Sequence, residues 1–116
     1  MRKNVAIAGS ITALVLFAGL GLAKDKEPDG KTLFREYCKP CHAEDSDHGE
    51  YTPMTLIQEQ WERFFDTKLE PTHKGVDAPG AEGKKLLEVL TPDMVKKIKE
   101  FAVDHAADSE HPMTCG

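Results

Sequence analysis

Five consecutive residues, Cys38-Lys39-Pro40-Cys41-His42, hold the densest chemistry in the chain. Two thiols one helical turn apart, followed at once by an imidazole, are what covalent haem attachment needs. The thiols add to two vinyl groups of one porphyrin, and the histidine reaches the iron from the same side. C-x-x-C by itself also serves thioredoxin-like redox sites and zinc sites. A zinc site wants a second pair of ligands at short spacing, and the third cysteine, Cys115, stands alone. A thioredoxin-like site wants a strand before the motif and a βαβ pattern, and neither is visible. One covalent haem (heme c), bound through Cys38, Cys41 and His42, is therefore the expected cofactor, with His42 the first iron ligand.

The residue opposite His42 sets potential and reactivity. His73 lies in a Pro- and Gly-rich stretch between two helical patterns, where a ligand can swing over the ring. Met54, held by Pro53, is the runner-up; a hydrophobic contact before the second helix is its plainer role. His105 and Met94 sit on the apolar stripe of the last helix and read as core. His48, His111 and Met113 lie in polar segments. A vacant sixth position would turn an electron carrier into a gas binder.

Helices must position these groups. Leu33, Phe34 and Tyr37 recur at helical spacing over 31–37, so a short helix leads into the motif, and Pro40 is expected to end or kink it. The polar run 43–51 reads as a loop; its acidic cluster with His48 lacks a regular cation-binding pattern and reads as solvated. Thr55 and Gln58 match a capping box, which predicts a second helix with Ile57, Trp61, Phe64 and Phe65 on one face. Residues 66–80 read mostly as loop, and 81–90 as a third helix. Thr91-Pro92-Asp93 opens the last helix, running to about Ala107 with Met94, Ile98, Phe101 and His105 in one stripe. The fold class is all-α, about four helices around one haem. The aromatic residues as a set are expected to pack largely against the ring; for Trp61 a core contact is expected ahead of a place on the haem edge or an N–H given to a propionate.

The 116 residues allow one domain. Residues 1–23 read as a signal peptide: Arg2 and Lys3, an apolar run from Val5 to Leu22, then small residues before a cut after Ala23. An uncleaved anchor is the alternative. Residues 24–116 form the domain, with 24–29 and 109–116 as flexible ends. Export fits the motif, since this haem attachment happens outside the cytoplasmic membrane, and a periplasmic location is expected. Arg2 and Lys3 leave with the leader, so the mature part carries 13 basic and 20 acidic residues. That balance disfavours nucleic acid and suits basic docking partners, or simply solubility. Cys115 is an unpaired thiol in an oxidising compartment, able to cross-link two chains or stay reduced.

Gly30-Lys31-x-Leu33-Phe34-x-x-x-Cys38-x-x-Cys41-His42 resembles the opening of a class I cytochrome c. The resemblance covers most of 30–108. It implies a fold in which an N-terminal and a C-terminal helix cross beside a single haem, with Phe34 and Tyr37 meeting Phe101. The chain departs from the mitochondrial type, because the loop before the last helix holds His73 and no methionine. Trp61-x-x-Phe64-Phe65 followed by His73 is closer to small bacterial dihaem and sphaeroides haem protein-like cytochromes. That likeness implies His73 as the second iron ligand, here with one haem. The expected function is single-electron transfer between redox proteins, multihaem cytochromes among the candidates, without catalysis of its own. The alternatives are binding or sensing of NO, CO or O2, and an electron-entry subunit of a larger complex.

Overall fold

The computed structural model describes residues 27–81 and 83–114, and over them the chain is all-α. The expected signal peptide and Cys115 lie outside the described residues. Among the described residues no helix is long and apolar enough to cross a membrane.

Asp29 starts the first helix, its carboxylate accepting from the Thr32 N–H at 2.8 Å. Helix α1 (Gly30–Leu33), a π-helical turn (Phe34–Cys38) and α2 (Lys39–His42) then run on without a break. Pro40 does not end the helix. It has no N–H to give, and the wider π turn just before it closes with the Lys39 N–H on the Phe34 carbonyl. The helix therefore carries the whole motif to His42.

Thr55 is not the cap of the second long helix. It ends a 3-10 turn, Pro53–Thr55, where its hydroxyl accepts from the Thr52 N–H at 2.9 Å. Helix α3 (Gln58–Thr67) begins three residues later, with Gln60 Oε1 accepting from the Ile57 N–H. Trp61 is the buried residue of α3, and Ile57, expected on the same face, is 41% exposed. The stretch expected as loop holds a one-turn helix, α4 (Leu69–Thr72). The helix expected over 81–90 shrinks to α5 (Leu86–Val89), because Gly80 and Gly83 take positive φ and a lone antiparallel bridge joins Asp77 to Lys85.

Helix α6 (Pro92–Asp104) starts as expected, the Thr91 hydroxyl accepting from the Met94 N–H at 3.2 Å. It ends at Asp104 rather than Ala107. The following chain folds back, with the Ala107 N–H on the Leu56 carbonyl and the Met113 N–H on the His105 carbonyl. The most buried line of this region is Ile98, Ala102 and Ala106, while Met94, Phe101 and His105 are half-buried.

Helices α1 and α6 cross at Gly30. A Cβ there would overlap the Lys97 carbonyl oxygen and stand 2.8 Å from Phe101 Cβ. Leu33, Phe34, Trp61, Leu86, Leu90, Ile98, Ala102 and Ala106 form the core. The aromatic rings make an edge-on cluster of their own: Phe34 lies 5.7 Å from Phe101 and 6.5 Å from Trp61, and Phe64 lies 5.4 Å from Phe65. Tyr37 packs half-buried against this core. The Trp61 indole donates to the Pro53 carbonyl at 2.9 Å, tying the 3-10 turn to α3.

Candidate haem site

The π turn ends at Cys38, and α2 carries Cys41 and His42; all three are half-buried. Burial, with the neighbouring Cys41 second, pushes the Cys38 thiol up from 9.0 to about 12. A dithiol that works by nucleophilic exchange needs the opposite shift, toward a thiolate at neutral pH. Cys38 is poorly set up for that chemistry.

The loop after α2 is built around His42. Ser46 Oγ donates to the Cys41 carbonyl and accepts from the His48 N–H; the Gly49 N–H returns to the Ser46 carbonyl. The Tyr51 N–H closes the loop on the His42 carbonyl at 3.0 Å. Gly49, at φ +83°, thereby aims its carbonyl at His42 Nδ1, 3.0 Å away. A carbonyl only accepts, so Nδ1 carries the proton and Nε2 keeps a free lone pair.

His73 shows the same kind of arrangement. It caps α4, and its Nδ1 lies 2.8 Å from the Leu69 carbonyl, which again leaves Nε2 free. The His42 and His73 ring centres are 6.2 Å apart, with planes at 75°. An imidazole nitrogen about 2 Å from a metal puts its ring centre about 3 Å away, so two imidazoles on opposite faces of one iron stand about 6 Å apart. The spacing of the two ring centres matches that separation. Tyr51 stands edge-on to His42 at 5.0 Å and Phe64 edge-on to His73 at 6.1 Å.

The other candidates are placed differently. His48 also lies 6.4 Å from His42, so distance alone does not select the partner. His48 is exposed, and its ring makes no hydrogen bond among the described residues. It also neighbours Gly49, which occupies the Nδ1 edge of His42, whereas an iron must sit at Nε2. Met54 is 41% exposed on its 3-10 turn. His105 is held by the His111 carbonyl at 2.8 Å and packs on Phe101 at 5.0 Å. Met94 packs against the core. Among the described residues no group of three or more His, Cys, Asp and Glu side chains forms a metal cage, the acidic loop included.

The supports of these groups were not foreseen from the sequence. Asp29 before a helical pattern was a legible cap signal. The Gly49 and Leu69 carbonyls left no side-chain signal, because backbone acceptors are the same at every residue.

No protein-family model matches the chain, and no solved structure matches it. A 66-residue stretch is 27% identical to the ATP-dependent Clp protease adapter protein ClpS of Salmonella arizonae, covering 57% of this chain and 62% of that protein. The match thus spans less than two thirds of the curated relative.

Proposed function

We propose that the chain is an exported single-electron carrier with one covalently attached c-type haem, ligated by His42 and His73. One observation carries this reading: two imidazoles, each with Nδ1 tied to a backbone carbonyl, have ring centres 6.2 Å apart beside a C-x-x-C-H motif. The haem, when bound, supplies the reversible one-electron couple of its iron. Cys38 and Cys41 tether it. His42 and His73 would hold the iron through Nε2, their Nδ1 atoms being tied to the Gly49 and Leu69 carbonyls. Two neutral nitrogen ligands of this kind favour the oxidised state more than a methionine–histidine pair does, so the potential is expected to be low. Tyr51 and Phe64 brace the two imidazoles, limiting rearrangement as charge changes. Other redox proteins, multihaem cytochromes among the candidates, would act as donor and acceptor in the periplasm, through small transient contacts.

The similarity to a Clp protease adapter offers a protein-binding role instead, but it gives the paired imidazoles no task. Optical spectra of the oxidised mature protein and of His73→Ala decide. A low-spin wild type without a sulfur-to-iron band, and a high-spin variant, are the expected results. A sulfur band surviving in the variant would assign Met54 or another methionine. A high-spin wild type that takes up CO or NO rapidly would favour gas binding. A chain without haem would end the carrier reading.

A further inference from the structure

On the reading that His73 ligates the haem iron, we infer that Thr72 is a positioning residue that fixes the proton and the rotation of the His73 ring. Thr72 Oγ1 lies 2.6 Å from the Lys68 carbonyl, 3.3 Å from the Leu69 carbonyl and 3.0 Å from His73 Nδ1. The hydroxyl has one proton to give. The Lys68 carbonyl, an acceptor only and the shortest contact, takes it. Toward His73 the hydroxyl can then only accept. The Leu69 carbonyl, 2.8 Å from the same nitrogen, can only accept as well. One self-consistent assignment remains: Nδ1–H is shared between two acceptors, and Nε2 is bare.

The two acceptors do different things. The Leu69 carbonyl belongs to the α4 backbone and would remain in any variant. The Thr72 hydroxyl approaches from its own side chain, and a ring rotating away from its present plane must break that second contact. Both acceptors draw on the Nδ1 proton, which raises the donor strength of Nε2. Thr72 therefore sets how firmly His73 holds the metal without touching it.

The test compares the holoprotein as wild type, Thr72→Val and Thr72→Ser. Valine keeps the shape and loses the acceptor; serine keeps the hydroxyl. Alkaline pyridine spectra first establish that each carries covalent haem. Cyanide is then added to the ferric protein, and its uptake rate reports release of His73. The expected result is uptake about tenfold faster in Thr72→Val, with a raised midpoint potential, and near wild-type behaviour in Thr72→Ser. Thr72→Ala serves if the valine variant does not fold. Wild-type uptake and potential in the hydroxyl-free variant would overturn the assignment. So would an equal change in Thr72→Ser, because the variant that keeps the hydroxyl would then behave no better than the one that lacks it. A wild type without a haem spectrum would overturn the carrier reading itself, and this assignment with it.

Discussion

The imidazoles of His42 and His73 are aimed by backbone carbonyls, and their planes stand at 75°. This orientation has an electronic consequence in a haem protein. Nearly perpendicular rings donate into different iron d orbitals, which stay close in energy, and the unpaired electron keeps a large orbital moment. The ferric protein is expected to give a strongly anisotropic low-spin electron paramagnetic resonance signal. A rhombic spectrum with three well-resolved lines would mean nearly parallel rings and would contradict the geometry found here. At the same scale, the Cys38 thiol, pushed up to about 12 chiefly by burial, favours a tethering role over dithiol exchange.

Two helix features carry the frame that holds these side chains. Gly30 lets α1 approach α6 until only a hydrogen fits between them, since any Cβ at this position would collide with the Lys97 carbonyl oxygen. Gly30→Ala forces the helices apart at the end of the run that presents Cys38, Cys41 and His42. We expect a loss of about 3 kcal/mol, read as a lower midpoint in guanidinium unfolding of the holoprotein. A loss of stability below about 0.3 kcal/mol would mean the crossing yields easily. Thr91 is a smaller term. Its hydroxyl caps α6 on an exposed surface, so Thr91→Ala should cost about 1 kcal/mol and Thr91→Ser very little, in the same unfolding measurement. The π turn at Phe34–Cys38 shows why Pro40 is tolerated between the two cysteines: the helix has widened before reaching the residue that cannot donate.

Over the whole molecule, charge and size govern behaviour. The part after the expected leader holds 13 basic and 20 acidic residues. Glu44, Asp45, Asp47 and Glu50 are exposed on the loop that wraps His42, and among the described residues they make no ion pair. Such a surface draws cations and repels anions over about 8 Å at physiological salt. Oxidation of the reduced protein by hexaammineruthenium(III) should slow as salt rises, and oxidation by hexacyanoferrate(III) should speed up. Equal salt dependence with both reagents would mean that this charge does not face the redox centre. The buried core is small and rich in alanine toward the C-terminal end of α6. A tethered haem would add the apolar contact area that a chain of this size lacks.

The sequence by itself determined the elements whose signals are local. C-x-x-C-H was legible as a motif because its spacing lies within one helical turn, and the helix does run through it to His42. Thr91-Pro92-Asp93 announced α6 because a cap, a fixed φ and a first-turn acid act within four residues. The all-α class followed from helical periodicity. Local signals also misled: Thr55 and Gln58 have capping-box spacing, yet Thr55 bonds back to Thr52 and α3 starts later. The glycines at 80 and 83 were visible, but helical spacing of Leu86, Leu87 and Leu90 outweighed them over 81–90. Only the tertiary structure decided which histidines stand near His42: the His48 and His73 ring centres lie 6.4 and 6.2 Å from it. The candidate ligands were all within reach along the chain, because chain length limits distance and says nothing of direction. Direction came from long-range packing: α3 against α6, α4 turned back beside Phe64, and backbone carbonyls converging on two imidazole nitrogens.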